Sequence, residues 1–172
     1  GSEFIHDLVE LTPEIKELSS VKDSKTILLG DRGVSISVGM ASDVGMIRSL
    51  NEDSVGTLEL TNILQSVSRP CGFYMVADGM GGHEAGEEAS KIAVEHITSK
   101  IIQTLDDNEA RSGDEIRLLL EEAVFSANET IVEQAKSKNN NMGTTITAAY
   151  LANDRAHILN IGDARAYLFS QK

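Results

Sequence analysis

Two long helical patterns follow one another in the middle of the chain, and they constrain the fold more than any other feature. Over residues 84–105, apolar side chains recur at the three- and four-residue spacing of an amphipathic helix. A second stripe follows Ser112 and Glu115, which have the spacing of a capping box, and it ends near the three asparagines at 139–141. The sequence therefore predicts two consecutive helices, each with an apolar face to cover.

Strand patterns flank this helix pair on both sides. Residues 34–41 alternate apolar with small or polar side chains, and residues 72–77 form a short apolar run. After the helices, segments 144–151, 156–161 and 164–169 are separated by turn residues and predict a strand meander. Separate groups of strands and helices are typical of an α+β fold, so we expect the helix pair to lie against an antiparallel sheet.

Composition supports a folded chain and excludes several classes of partner. The 172 residues are 41% hydrophobic, which is enough for a core. The formal net charge is −12, and such a charge disfavours attraction to nucleic-acid phosphates or anionic lipids. No apolar run approaches the roughly 20 residues that span a bilayer. We therefore expect no nucleic-acid partner and no membrane anchor.

The beginning of the chain divides into two parts. Residues 1–4, Gly-Ser-Glu-Phe, match the translation of common cloning sites, and we interpret them as an expression scar. Residues 5–33 have a mixed pattern and are interpreted as an N-terminal extension of unknown role. Residues 5–20 lack the basic start and apolar block of a signal peptide, so the expected location is cytoplasmic.

The glycine-rich stretch after the strand at 72–77 is the first candidate site. Asp78 ends the strand, and Gly79 with two further glycines at 81–82 leads to His83. Glycine lets backbone approach a ligand closely and a carboxylate is a hard oxygen donor, so the stretch suits a metal-binding turn. An ordinary strand-to-helix turn with Asp78 as a solvated cap explains the same residues equally well.

A second polar segment places Glu52 and Asp53 shortly after Arg48. A guanidinium fork fits phosphate oxygens, while carboxylates hold the divalent metals that polarise phosphorus, so this combination suits phosphoryl chemistry. An ordinary charged loop contains the same residue types, and the segment taken alone favours that interpretation.

Four strings, taken in order, are more specific than any one of them: GMIRSLNEDS, VADGMGGHEAGEEAS, MGTTITAAYL and NIGDARAYL. Together they resemble the metal-dependent Ser/Thr protein phosphatases of type 2C (the PPM family), in their bacterial-type branch. The resemblance covers roughly residues 34–169. It implies an α+β fold of four layers, an antiparallel β-sandwich flanked by helix pairs. The implied activity is hydrolysis of phosphoserine and phosphothreonine in proteins by a water that two Mn²⁺ or Mg²⁺ ions activate.

The resemblance also implies a set of metal ligands. Asp78 matches the aspartate that bridges the two metals, and Gly79 matches the glycine whose backbone carbonyl binds one of them. Glu52 and Asp53 match the acidic pair that binds the metals directly or through waters. Asp163 falls where some members place a ligand of a weaker third metal.

Two further residues are matched to substrate chemistry. Arg48 matches the arginine that holds the substrate phosphate, and His83 matches the histidine proposed as general acid toward the leaving alkoxide. The implied partners are phosphorylated proteins, with a Ser/Thr kinase acting in the opposite direction.

The matched positions supply only part of such a site, because the family's remaining aspartates come from motifs beyond the last string. Too few carboxylates are present for two hard cations unless many waters fill the shells. Residues 34–172 are therefore interpreted as the N-terminal part of a phosphatase domain, weakly active or inactive alone. Exposed sheet edges would lead such a piece to self-associate or to pair with its missing half.

A non-catalytic module is the alternative interpretation. It would keep the first half of the fold and bind a phosphoprotein, or regulate a partner, without turnover. Arg48, Asp78, Gly79 and His83 are all present, and a module freed from catalysis has no chemical reason to retain them together.

Overall fold

The computed structural model describes residues 26–28, 36–64, 67–81, 84–104, 111–152 and 155–169. Both predicted helices are present, α1 at Glu84–Thr104 and α2 at Gly113–Lys138. The strands of the described residues are β1 (Thr26–Leu28), β2 (Asp53–Leu64), β3 (Val67–Met80), β4 (Gly143–Thr144), β5 (Ile146–Ala152) and β6 (Arg155–Ile161).

The strands form one antiparallel sheet in the order β1-β6-β5-β3-β2, and short β4 pairs with the end of β3. In the register, Asp53 lies opposite Asp78, Val76 opposite Thr147, and Ile146 opposite Ile161. The start of β2, the end of β3, the start of β5 and the end of β6 therefore lie together. We call this end of the sheet the Asp53–Asp78 edge.

One face of the sheet carries the helix pair. Phe73, Met75 and Ala77 alternate along β3, as period two requires, and all three are buried in the main core. Small residues of α1, Ala89 and Ala93, are fully buried in the same core and let the helix approach the sheet closely. The remaining buried residues of this core come from both helices, from the segment between α2 and β4, and from β5: Ile97, Ile101, Ile116, Leu119, Leu120, Ala123, Ala127, Ile131, Met142, Ile146, Ala148 and Tyr150.

The other face of the sheet has a smaller apolar cluster. Tyr74, Leu151 and Ala156 are buried there, and Ile36 and Val38 pack against them. The sheet is thus apolar on both faces, as the central layer of a multilayer fold must be. The predicted α+β class with an antiparallel sheet is confirmed, and the described residues contain one sheet and one helix pair of the four expected layers.

Strand predictions were less accurate than helix predictions. Residues 164–169 are not a strand, and that prediction was wrong. A strand needs a neighbour to complete its hydrogen bonds, and no described strand pairs with this segment. Of the predicted strand at 34–41, the described part has only an isolated bridge, at Val38. Strand β2 was not predicted, because Gly56 interrupts its apolar alternation.

Several sequence predictions fall outside the described residues. These include the expression scar at 1–4, most of the extension at 5–33, and His83. The described part of the extension is β1, which pairs with β6 through Thr26 and His157. The domain boundary at residue 34 stays a prediction. Neither described helix combines the length and apolar character that a bilayer span demands.

Candidate metal and phosphate site

Asp53 and Asp78 face each other across β2 and β3. Burial is the first cause that raises the pKa of Asp53, followed by the charge of Asp78 and a hydrogen bond shared with it. Arg48 opposes this effect and lowers the pKa of Asp53. The two carboxyl groups therefore lie close enough to repel each other when both are ionised, and this repulsion favours a proton or a cation between them.

Glu52 is held at this edge from two directions. Its side chain is only 8% exposed, and its Oε2 accepts a hydrogen bond from Arg48 Nη1 at 2.9 Å. Its backbone carbonyl accepts the Gly79 N–H at 3.1 Å, which joins the start of β2 to the end of β3. Arg48 itself is 66% exposed, so its guanidinium remains accessible from solvent.

The backbone of Asp78 and Gly79 is fixed by β4 and the residue that follows it. The Asp78 carbonyl accepts two hydrogen bonds, from the Thr145 N–H at 2.9 Å and from the Thr144 hydroxyl at 3.0 Å. A Cβ on Gly79 would overlap the Gly86 carbonyl oxygen of α1. Only glycine fits at this position, because the backbone of α1 at Gly86 packs directly against the backbone at the end of β3.

Asp163 lies just after β6 and is exposed. The preceding residue, Gly162, has φ of +92°, and a Cβ there would lie 2.8 Å from Thr145 Cγ2. Because Thr145 also hydrogen-bonds Asp78, the turn that carries Asp163 belongs to the Asp53–Asp78 edge. The structure thus brings Arg48, Glu52, Asp53, Asp78, Gly79 and Asp163 to one end of the sheet.

Two residues at this edge received no role in the sequence analysis. Thr144 donates to the Asp78 carbonyl, and Gly86 packs against Gly79 and Glu52. Both lie inside strings that carried the family resemblance, so their positions were visible in the sequence. Their contacts were not, because each contact joins different elements: Thr144 of β4 meets β3, and Gly86 of α1 meets the end of β3 and the start of β2.

The donors at this edge suit a hard divalent cation in type. Carboxylates and backbone carbonyls are the oxygen ligands that Mg²⁺ and Mn²⁺ prefer. Burial first, and then the charge of Asp78, raises the pKa of Asp53, and a bound cation would oppose both effects. In number the donors form a partial shell, since the described residues contain no group of three or more His, Cys, Asp or Glu side chains arranged to hold a metal ion.

Comparisons with known proteins agree with this chemistry. A family model described as Protein phosphatase 2C matches residues 49–172. The chain is 37% identical over 129 residues to a serine/threonine phosphatase, stp, of Listeria innocua, an alignment that covers 74% of this chain and 47% of the relative.

Two solved structures are also similar. A serine/threonine phosphatase of S. agalactiae has a TM-score of 0.57 and 31% identity, over 72% of this chain and 47% of that one. The Mycobacterium tuberculosis serine/threonine phosphatase PstP has a TM-score of 0.50 and 29% identity, over 83% and 48%. The chain thus spans about half the length of these relatives. Since the family model covers most of its residues, the chain belongs to the protein phosphatase 2C family.

Proposed function

We propose that this chain forms part of a phosphatase that hydrolyses phosphoserine and phosphothreonine in proteins with the help of Mn²⁺ or Mg²⁺. The observation that carries the proposal is the gathering of an arginine and three acidic side chains, Arg48, Glu52, Asp53 and Asp78, at one end of the sheet. The similarity to proteins named as serine/threonine phosphatases supports the same activity.

Asp53, Asp78, Glu52 and the Gly79 carbonyl are the groups that would hold divalent cations at this edge, with Asp163 as a further ligand. When bound, such cations neutralise phosphate charge and lower the pKa of water toward about 7. The remaining half of the domain, which the relatives possess, would supply the other ligands.

Arg48 is the proposed phosphate clamp. Its guanidinium can offer two parallel N–H donors to phosphate oxygens, a geometry that lysine lacks. In the structure it donates to Glu52, and both groups lie at the same edge. Arg48 can therefore turn toward a substrate phosphate while Glu52 keeps its place beside Gly79.

His83 is the proposed general acid toward the leaving alkoxide. It follows the glycine turn after Asp78 in the sequence, and histidine is the side chain that most often serves as a general acid or base near neutral pH. Phosphorylated proteins are the proposed substrates, and a Ser/Thr kinase is the proposed opposing enzyme. The cytoplasmic location stays a prediction.

Phosphate release from a phosphothreonine peptide tests the proposal. The protein to use is the complete domain, meaning this chain together with the remaining half that its relatives possess. We expect release that depends on added Mn²⁺ or Mg²⁺, disappears with a chelator and returns when the metal is restored. Tight binding of the peptide without release, with either metal, would favour the non-catalytic module instead.

A further inference from the structure

Gly86 lies where α1, β3 and the Glu52 side chain come closest together. A Cβ on Gly86 would lie 2.7 Å from Glu52 Oε2 and 3.0 Å from the carbonyl carbon of Gly79. Such separations are well inside the optimal carbon contact of about 3.5–4.0 Å. The absence of a side chain at Gly86 therefore creates the space that the Glu52 carboxylate occupies.

Glu52 has little freedom to move out of the way of an added side chain. It is buried, and its backbone carbonyl accepts the Gly79 N–H at 3.1 Å. A methyl group at Gly86 would thus press on a buried side chain whose backbone is fixed to Gly79.

Helix α1 has less freedom to move than the end of the Glu52 side chain. One turn after Gly86, the Ser90 and Ser54 hydroxyl oxygens lie 2.9 Å apart and join α1 to β2 by a hydrogen bond. Ala89 and Ala93 are fully buried against the sheet, so the helix cannot slide without disturbing the core. An added Cβ would therefore displace Glu52 and Gly79 rather than the helix.

We propose that Gly86 is a positioning residue that sets where the Glu52 carboxylate and the Gly79 carbonyl stand at the Asp53–Asp78 edge. The first turn of α1 closes on Glu52 because Gly86 has no side chain, and the partial positive charge of that turn favours the carboxylate there. The role in metal binding rests on the proposed function, whereas the steric coupling of α1 to Glu52 and Gly79 does not.

Amide hydrogen exchange of the metal-free chain tests this coupling. In Gly86→Ala we expect the Gly79 amide, which donates to Glu52, to exchange at least tenfold faster than in the unmodified chain. The Met75 amide, in the middle of β3, should be unchanged. Gly113→Ala is the matched control, because its Cβ would meet its nearest neighbour, His157 Cε1, at an ordinary 3.4 Å. Unchanged protection of Gly79 in Gly86→Ala would overturn the proposal.

A second variant keeps the test decisive if Gly86→Ala does not fold. Glu52→Asp shortens the side chain by one methylene and withdraws the carboxylate from Gly86. The double variant Gly86→Ala/Glu52→Asp should therefore fold, with Gly79 protection within threefold of Glu52→Asp alone. A double variant as damaged as Gly86→Ala would show that the added methyl group acts directly on the Gly79 backbone and not through Glu52, which would overturn the role of Gly86 in positioning the Glu52 carboxylate.

Mn²⁺ affinity of the complete domain, measured by calorimetry, extends the test to the metal. Gly86→Ala should weaken binding at least tenfold, and Gly113→Ala should leave it unchanged. If Gly86→Ala binds Mn²⁺ as tightly as the unmodified domain, the positioning role is overturned. If the unmodified domain binds no Mn²⁺, the proposed function fails, while the exchange result still decides the steric coupling.

Discussion

At the scale of single residues, the protonation of Asp53 affects the stability of the fold. Burial and the neighbouring Asp78 raise the pKa of Asp53. A carboxyl group with a raised folded-state pKa stabilises the fold below its unfolded pKa of about 3.9, and that contribution is lost as pH rises through the folded value. At neutral pH the metal-free fold therefore retains a repulsion between two carboxylates, which a cation would relieve.

Asp53→Asn should have opposite effects on stability and on metal binding. It removes the repulsion, so we expect the free energy of unfolding of the metal-free chain at pH 7 to rise by about 0.5–1 kcal/mol. This gain should shrink toward pH 4, where Asp53 takes up a proton. Mn²⁺ affinity of the complete domain should fall. Urea unfolding at pH 7 and pH 4 measures the effect on stability. Glu129→Gln, at an exposed position of α2, is the control. A loss of stability at pH 7 would contradict this account of the pair.

Arg48→Ala should act on substrate more than on metal. Hydrogen bonds to charged groups contribute about 1.5–3 kcal/mol, so we expect KM for a phosphopeptide to rise roughly 10- to 100-fold in the complete domain. Mn²⁺ affinity should stay within a few-fold. Arg117→Ala removes a comparable ion pair, that with Glu121 at 2.7 Å, and should leave KM unchanged. Loss of metal binding with an unchanged KM would instead give Arg48 a structural role through Glu52.

At the scale of elements, features set by near neighbours in the sequence were predictable, whereas the pairing of strands was not. The start of α2 was predicted because a capping box is a contact between near neighbours. The Ser112 hydroxyl accepts the Glu115 N–H at 3.3 Å, and the Glu115 carboxylate accepts the Ser112 N–H at 2.6 Å. The left-handed Asn139, with φ of +51°, ends the helix near the predicted asparagines.

Strands depend on partners that are distant in the sequence, and they were therefore predicted less accurately than the helices. Residues 164–169 have a strand-like sequence without a described neighbour, whereas β2 lacks a clear pattern but pairs with β3 along its whole length. The contact of Gly86 with Glu52 likewise follows from the packing of separate elements, whereas the Arg48–Glu52 ion pair joins residues only four positions apart. Family resemblance placed the site residues in the sequence, and only the structure placed them beside one another.

Thr144→Val tests the contribution of β4 to the site. Valine keeps the shape of threonine but removes the hydroxyl, which lies 3.0 Å from both the Asp78 and the Thr145 carbonyl oxygens and can donate to either. Because the Asp78 carbonyl also accepts the Thr145 N–H, we expect stability to fall by only about 0.5–1 kcal/mol. Mn²⁺ affinity of the complete domain should fall several-fold, since Asp78 is less firmly held. Thr57→Val, at an exposed position of β2, is the control. Equal effects of the two substitutions on Mn²⁺ affinity would show that Thr144 has no specific role at the site.

At the scale of the whole molecule, the chain presents a sheet that is apolar on both faces, and the metal ligands proposed for its described residues are only part of a complete set. It also spans about half the length of its relatives. Both features are consistent with residues 34–172 being the first part of a phosphatase domain, whose other half would cover the second face and complete the ligand set.

The 172-residue chain alone should therefore turn over p-nitrophenyl phosphate slowly or not at all in the presence of Mn²⁺. With an incomplete set of metal ligands, the attacking water would be activated less strongly and aligned less well with phosphorus. Each of these effects is worth orders of magnitude in rate. Adding the missing half as a separate polypeptide should restore activity if the two pieces assemble. Strong hydrolysis by the chain alone, abolished by Asp78→Asn, would show that its own residues complete the site.

Calorimetric titration of the complete domain with Mn²⁺ tests the central claim most directly, because it asks whether Asp78 holds the metal. The account predicts measurable binding by the unmodified domain and none by Asp78→Asn, since a neutral amide lacks the charge that a hard cation requires. Asp114→Asn, at the exposed start of α2, should bind like the unmodified domain. Unchanged Mn²⁺ affinity in Asp78→Asn would contradict the assignment of the Asp53–Asp78 edge as the metal site.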